Sequence, residues 1–297
     1  MKLRKLSLLL GLGLFLTTTV YTGNGYTDSL KKIGIDAETF SAMPSEKQQF
    51  YSNIEVDSIK SQSKYYKFEE TIESQNKDYK FKELMNTRSL NKTDINMIEI
   101  SEEQFLFETK RHLDSNFVKT FAADSDFTST SWVEMTTKLA SISNSKDYVL
   151  TNDVTYIKSN GFLQPINTHI TGLGCNSNFS IIKDSEYLRR DYTLYSPDLG
   201  IYKPGQYDYI WSADEKSSSG YAFNYDVIET EINNEVFMAL RITPNVNTTV
   251  LADGYGYYSK YSRSVSPTLS FDVSGASLTI EPNRSLSTAP KTHVQLR

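Results

Sequence analysis

The residues best suited to nucleophilic chemistry in this chain are a lone cysteine and a nearby histidine. Cys175 is the only cysteine, and His169 precedes it by six positions. A catalytic thiol needs a neighbouring base or positive charge to lower its pKa, but Gly172–Cys175 matches no cysteine-hydrolase signature. No Gly-x-Ser-x-Gly elbow occurs either. We therefore interpret Cys175 as a small buried thiol of a β-rich core and assign no catalytic residue.

The sequence lacks the ligand patterns that a metal site or a cofactor site requires. The three histidines, His112, His169 and His293, are widely separated, and none has a second ligand at helical or hairpin spacing. Asp124 and Asp126 carry suitable oxygens for calcium, but the rest of a calcium loop is missing around them. No Walker loop and no dinucleotide-binding glycine loop is present. The sequence therefore predicts neither a metal nor a cofactor.

Tyrosine is the abundant residue type whose spacing suggests a surface function, with 20 copies in the chain. Tyr207, Tyr209 and Trp211 share one face of a predicted strand, and Tyr255 and Tyr257 share one face of another. An exposed aromatic ladder can bind sugar, lipid headgroups or a partner protein. The alternative is that these rings form cross-strand pairs that cap a sheet edge. These five residues are the candidate binding surface.

Charge narrows the range of partners. The net charge is −5, whereas a nucleic-acid-binding domain concentrates basic residues on one face and is usually basic overall. Nucleic acid is therefore excluded as the expected partner. The remaining candidates are a cell-surface polysaccharide, a protein or a membrane.

The first residues have the layout of a secretory signal peptide. A cationic start, Lys2–Lys5, precedes the apolar run Leu6–Leu16. This run is too short to cross a bilayer, which needs roughly 20 apolar residues. We place the cleavage after Thr22 or Gly25 and assign 1–25 to the signal peptide, with an uncleaved anchor as the alternative. Because one cysteine cannot form an intramolecular disulfide, the pattern favours a bacterial exoprotein.

The segment after the leader shows short helical signals. Asp36 is placed to cap a helix in which Phe40 and Met43 form an apolar pair. Pro44–Tyr51 then suits the first turns of a second helix. These helices are short, so we expect them to dock on other elements or to serve as a spacer. Ser101–Gln104 resembles a capping box, although the apolar pattern beyond it fits strand and helix equally.

The later part of the chain has the period-two alternation of half-buried strands. Trp132–Ile142 shows it, and Val236–Ile242 shows it most clearly. We predict that Tyr221–Ile232 and the following strand form a hairpin joined at Asn233–Asn234, because asparagine tolerates positive φ. After Gly275 the alternation changes phase, which indicates a turn or a bulge.

Together these patterns predict a mainly β fold. We expect an antiparallel β-sandwich-like domain over 123–297, preceded by a helical and mixed region over 26–122. No repeat of fixed period occurs, which excludes propellers and solenoids.

Four segments also carry a resemblance to a group of known proteins. They are Ile33–Asp36, Met43–Pro44, Ser131–Met135 and the tyrosine-rich Gly254–Tyr258. In this arrangement the chain resembles uncharacterised exported proteins of Bacillus-type Gram-positive bacteria. The resemblance implies a Gram-positive producer and an extracellular location, and it carries over no catalytic residue.

The leading functional hypothesis is a non-enzymatic binding or surface-associated module of an exported protein. The second is a β-pore-forming or membrane-acting factor, because Trp132–Ile142 has the length of a membrane-inserting strand, about 10 residues. The third is a secreted hydrolase, which needs two nearby carboxylates that the sequence alone does not pair.

Overall fold

The computed structural model describes eleven stretches of the chain. They are 25–73, 92–114, 127–158, 167–196, 201–209, 213–228, 230–246, 251–262, 268–272, 276–281 and 291–297. The predicted leader, apart from its last residue, lies outside the described residues, so the signal peptide and its cleavage point stay predictions.

Helices occupy only a small part of these stretches. They are α1 (Asp28–Lys32), α2 (Ala37–Ala42), α3 (Ser45–Tyr51) and α4 (Glu102–Asp114). Within the described stretches, no helix is long and apolar enough to cross a membrane.

Strands make up most of the described chain. The first eight are β1 (Val56–Glu73), β2 (Lys92–Ile100), β3 (Phe127–Ile142), β4 (Tyr148–Lys158), β5 (Asn167–Cys175), β6 (Phe179–Ile181), β7 (Tyr187–Ser196) and β8 (Ile201–Tyr209). The others are β9 (Glu215–Lys216), β10 (Gly220–Val227), β11 (Glu231–Pro244), β12 (Ala252–Ser262), β13 (Thr268–Phe271), β14 (Leu278–Glu281) and β15 (Lys291–Leu296).

The strands form two large antiparallel sheets that pack face to face, and the predicted sandwich-like fold is confirmed. The eight-stranded sheet has the order β2-β1-β3-β4-β11-β7-β8, with β6 also paired to β11. The five-stranded sheet has the order β15-β12-β5-β10-β9, and β13 with β14 forms a separate hairpin. Non-consecutive neighbours in both sheets show that the chain crosses repeatedly between the two layers.

The core between the sheets follows from strand alternation. Val236, Met238, Leu240 and Ile242 of β11 point inward, where the five-stranded sheet contributes partners such as Leu173. Burial of each such side chain stabilises the fold by about 1.5–3 kcal/mol. Period-two alternation therefore identified the inward face of β11 correctly.

The opposite face of the eight-stranded sheet is covered by the N-terminal helices. Phe40 of α2 and Tyr51 of α3 pack in one buried cluster with Val149 and Phe237 of the sheet. The side chain of Asp36 accepts a hydrogen bond of 2.6 Å from the backbone N–H of Thr39, as the capping pattern predicts. The helices thus dock on the sheet and form a third layer of the fold.

The ambiguous segment after Ser101 is a helix. The Ser101 hydroxyl accepts a hydrogen bond of 3.1 Å from the backbone N–H of Gln104, so the capping pattern is confirmed. Helix α4 packs through Phe105, whose ring centroid lies 5.2 Å from that of Tyr65 on β1. Its outer side leaves Phe107 66% exposed.

The predicted hairpin at Asn233–Asn234 is wrong. Strand β10 pairs with β5 and β9, whereas β11 pairs with β4, β6 and β7 in the other sheet. Asn234 lies within β11, opposite Tyr156 on one side and Tyr192 on the other. Because the backbone of Asn234 pairs with a neighbouring strand on each side, Asn234 cannot form a turn. The chain passes from the five-stranded to the eight-stranded sheet before Glu231 instead.

The phase change near Gly275 corresponds to a hairpin, in which Leu269 pairs with Ile280 and Phe271 with Leu278. Gly275 itself lies outside the described residues. The predicted domain boundary between residues 122 and 123 also lies outside them, and β1 and β2 before it share a sheet with β3 after it.

Candidate functional site

Strands β12 and β15 bring polar and aromatic side chains together on the outer face of the five-stranded sheet. Tyr255 pairs with His293 across these strands, Asp253 pairs with Gln295, and the next pair includes Lys291. Because alternate residues of a strand point to opposite faces, these five side chains all point away from the core. We call them the Tyr255 surface.

The side chains of the Tyr255 surface are held by one another. The rings of Tyr255 and His293 are stacked, with centroids 4.8 Å apart and planes 10° from parallel. His293 Nε2 shares a hydrogen bond of 2.9 Å with Asp253 Oδ1, and Gln295 Nε2 donates to the same oxygen at 2.8 Å. Asn176 Nδ2 donates to Asp253 Oδ2 at 2.5 Å. One carboxylate therefore orients three neighbouring side chains.

The electrostatics of the surface centre on Asp253. Its partial burial alone would raise its pKa, but hydrogen bonds from His293, Asn176 and Gln295 outweigh that effect and lower the pKa. The carboxylate is thus charged at neutral pH and is available as an acceptor. Burial, followed by the charge of Asp253, raises the pKa of Tyr255, so its phenol keeps its proton as a donor.

The hairpin β13–β14 covers the neighbouring part of this face. Tyr257, one of the predicted binding residues, is only 3% exposed, and its ring centroid lies 5.8 Å from that of Phe271. Lys291 Nζ lies 5.5 Å from the Tyr255 ring centroid and donates a hydrogen bond of 3.1 Å to the Ala276 carbonyl. Of the predicted pair, Tyr255 is therefore the residue that reaches solvent.

The other predicted aromatic group lies on a different sheet. Tyr207 and Tyr209 are on β8, where they pair with Asp191 and Arg189 of β7. Trp211 lies outside the described residues. The structure does not bring Tyr207 and Tyr209 onto the face of Tyr255. A binding role for them and for Trp211 stays a prediction.

A groove of about 420 Å³ opens between α2 and the outer face of the eight-stranded sheet. It is lined by Gly34, Asp36, Glu38, Thr39, Asp153, Arg189, Asp191, Glu235 and Phe237. Glu38 and Asp191 hold the Arg189 guanidinium in ion pairs of 2.6 and 2.7 Å. Carboxylates outnumber cations in this lining, so the groove carries negative charge.

Asp153 is the group of the groove with the most perturbed pKa. Its carboxylate is open to the groove, but desolvation by the surrounding protein raises its pKa to about 6. The positive charge of Lys138 acts to lower this pKa, and the negative charge of Glu235 acts to raise it further. The folded-state pKa exceeds the ordinary value of 3.8. At pH values between 3.8 and about 6, the folded chain therefore binds more protons than the unfolded chain. Stability contributed by Asp153 is therefore present at low pH and is lost as the pH rises through about 6.

We expect Asp153→Asn to raise the free energy of unfolding at pH 7 by less than about 1 kcal/mol, because the carboxylate is open to solvent. At pH 4, where Asp153 is protonated, the variant and the unmodified protein should be equally stable. Urea unfolding at the two pH values measures both differences. Equal differences at pH 4 and pH 7 would show that the pKa of Asp153 is not raised.

Cys175 and His169 do not form a catalytic pair. Both lie on β5, and six residues of extended strand separate them by about 20 Å. Cys175 is buried, and burial raises the pKa of its thiol to about 12, so no reactive thiolate forms at neutral pH. The interpretation of Cys175 as a buried core thiol is confirmed. Within the described stretches, no three His, Cys, Asp or Glu side chains converge to hold a metal.

Comparison with known proteins finds no protein-family model and no curated protein that matches this chain. Among solved structures, it is similar to the T6 backbone pilin of serotype M6 Streptococcus pyogenes, at 10% identity and a TM-score of 0.26. That match covers 81% of this chain and 64% of the pilin, so the chain spans less than two thirds of the pilin's length.

Two further structures show a similarity of the same low order. A structure described as BspA_C_mut matches at 7% identity and a TM-score of 0.26, over 68% of this chain and 86% of that one. The NetB toxin of Clostridium perfringens in its membrane-inserted form matches at 5% identity and a TM-score of 0.18, over 55% and 89%. TM-scores this low carry no functional argument, so the proposals below rest on the residues of this chain.

Sequence reasoning selected Tyr255 as a candidate binding residue but missed the side chains that surround it. Residues 291–296 alternate in type: Thr292, Val294 and Leu296 are buried, whereas His293 and Gln295 are exposed. That alternation is typical of a half-buried β-strand and could have predicted β15 from the sequence. It did not reveal that this strand lies beside β12.

Proposed function

We propose that this chain is a non-enzymatic, surface-associated β-sandwich module of an exported bacterial protein, and that it binds a cell-surface polysaccharide through the Tyr255 surface. The observation that carries the proposal is the fixed arrangement of solvent-reaching side chains around Asp253. Side chains held in place before binding lose little conformational entropy when a ligand arrives.

The chemistry of the Tyr255 surface suits a sugar. Tyr255 offers an apolar ring with a polar hydroxyl, which is the combination that amphipathic ligands contact. Around it, Asp253, Gln295 and the second ring nitrogen of His293 supply acceptors, while Lys291 supplies donors. A pyranose ring presents one apolar C–H face and a rim of hydroxyls, so its groups match both parts of this surface.

Export is supported by the leader pattern, from Lys2–Lys5 through Leu6–Leu16, and by the single cysteine. A polysaccharide at the surface of a Gram-positive cell is the partner that such a location makes available. The resemblance to exported proteins of Bacillus-type bacteria is consistent with this location.

The test is binding of the purified chain to polysaccharide isolated from Gram-positive cell walls. We expect Tyr255→Ala to weaken binding by about tenfold, since truncation of an aromatic contact typically costs 1–2 kcal/mol or more. Phe107→Ala is the matched control, because it removes an exposed aromatic ring on α4, which packs on β1 of the eight-stranded sheet and not on the five-stranded sheet. Isothermal titration calorimetry measures both variants against the unmodified chain.

Equal losses in the two variants, or no binding by the unmodified chain, would contradict the proposal. The same preparation added to dye-loaded liposomes separates the pore-forming alternative, which requires leakage and oligomers. A binding module leaves the liposomes intact.

A further inference from the structure

One end of the space between the two sheets is polar rather than apolar. We call this region the polar end and define it by Lys260, His169, Tyr225, Arg190 and Glu231. Three of these residues stand in a row across the five-stranded sheet, because His169 on β5 pairs with Tyr225 on β10 and with Lys260 on β12. All five are buried.

The ionic groups of the polar end already have partners. Lys260 Nζ contacts the Glu70 carboxylate, and Arg190 lies 3.7 Å from Glu231 in a second ion pair. Lys158, a further buried cation, also has an interaction partner. A charged ligand in this space would therefore lack a counter-charge, which favours an uncharged occupant.

Two uncharged groups of the polar end have polar atoms without a hydrogen-bond partner among the described residues. Nδ1 of His169 shares a hydrogen bond of 2.8 Å with the Tyr258 hydroxyl, but Nε2 has no partner within the described part of the chain. The Tyr225 hydroxyl has none there either. The His169 and Tyr225 ring centroids are 5.6 Å apart, and His169 is fully buried.

A third group of the same kind lies beside them. Asn167 precedes His169 by two residues on β5, so both side chains face the interior, and its Oδ1 also lacks a partner among the described residues. An unsatisfied buried polar atom is costly, and such groups in folded proteins are usually satisfied by ordered water. Buried waters typically make about three hydrogen bonds to groups of this sort.

We propose that the polar end binds an ordered water molecule, held by His169 Nε2 and the Tyr225 hydroxyl, with Asn167 Oδ1 as a third contact. Water both donates and accepts, so it satisfies a phenol, an amide oxygen and either tautomer of a neutral imidazole. Burial, together with the charges of Lys260, Arg190 and Lys158, holds the pKa of His169 well below its ordinary value, so the imidazole is neutral.

The sign of the effect of Tyr225→Phe on thermal stability tests this site. If the hydroxyl binds water, its removal breaks a hydrogen bond, and Tm should fall by about 2–4 °C. If the hydroxyl has no partner at all, its removal relieves a buried polar group and Tm rises. Tyr258→Phe is the control: its hydroxyl is bonded to His169, so Tm falls whether or not water is bound.

A crystal structure of the unmodified protein at about 1.5 Å resolution gives an independent reading. We expect one solvent peak within about 3.2 Å of both His169 Nε2 and the Tyr225 hydroxyl, and its loss in Tyr225→Phe. A rise in Tm for that variant, the absence of the peak, or density larger than one water would overturn the proposal. None of these outcomes depends on whether the Tyr255 surface binds polysaccharide.

Discussion

Lys260→Met is expected to lower the free energy of unfolding by about 3–5 kcal/mol, because it leaves the Glu70 carboxylate buried without a counter-charge. Lys260 on β12 and Glu70 on β1 are both 0% exposed and join the two sheets. Lys260 Nζ also donates to the Tyr156 hydroxyl at 3.1 Å and to the Ser131 hydroxyl at 3.3 Å, so all three of its protons have acceptors. Burial would lower the pKa of Lys260, but the charge of Glu70 outweighs it and the pKa is raised.

Two further variants separate the buried charge from the lost packing. In Lys260→Met combined with Glu70→Leu, both charges are gone, and we expect most of the lost stability to return. The hydroxyls of Tyr156 and Ser131 also share a hydrogen bond in the unmodified protein, and we expect it to remain when Lys260 is replaced. Lys64→Met, which breaks the exposed pair between Lys64 and Glu99, should cost less than about 1 kcal/mol.

Urea unfolding of these variants measures the differences. A loss for Lys260→Met no larger than that for Lys64→Met would show that the buried pair does not hold the sheets together. Failure of the double variant to recover would place the effect in packing rather than in charge.

Gly256→Ala is expected to lower the free energy of unfolding by about 3 kcal/mol, which is at the upper end of the range for overpacking a well-filled core. Gly256 lies on β12, where its backbone approaches the opposite sheet closely. An added methyl group would overlap the Thr137 hydroxyl and would lie only 2.6 Å from Thr292 Oγ1 and 2.7 Å from Asn152 Oδ1. Thr137 and Asn152 are themselves linked by a hydrogen bond of 2.9 Å, so the group has little freedom to move aside.

Gly172→Ala on the adjacent strand β5 is the matched control. The nearest atom to its added methyl group is the Tyr221 carbonyl oxygen at 3.2 Å, so a small shift accommodates it. We expect its loss of stability, measured by thermal unfolding, to be less than half of that for Gly256→Ala. Equal losses would indicate a general intolerance of β-sheet glycines to substitution rather than close packing at Gly256.

Local chemistry in the sequence predicted the elements better than their arrangement. The cap at Asp36, the cap at Ser101 and the alternation of Val236–Ile242 all depend on neighbours within a few residues, and the structure has each of them. The hairpin at Asn233–Asn234 failed because strand pairing is decided across the fold. The alternation of apolar and polar residues assigns each residue to a face of its strand, but it does not predict which strand lies beside it.

The same limit explains what was missed at the candidate site. Tyr255 was visible as part of an alternating aromatic pattern, but its partner His293 lies on a strand that follows an intervening hairpin. Lys260 and Glu70 are separated by most of the chain, and a lysine in a strand is usually expected to face solvent. Only the packing of the two sheets brings such residues together.

Binding at the Tyr255 surface can be observed most directly by NMR of the histidine side chains during titration with wall polysaccharide. His293 lies in the proposed site, whereas His169 is buried between the sheets and serves as the internal reference. We predict saturable shifts of the His293 ring signals, no shift for His169, and a midpoint at about tenfold higher polysaccharide concentration in Tyr255→Ala. Binding that leaves the His293 signals unchanged would contradict the account.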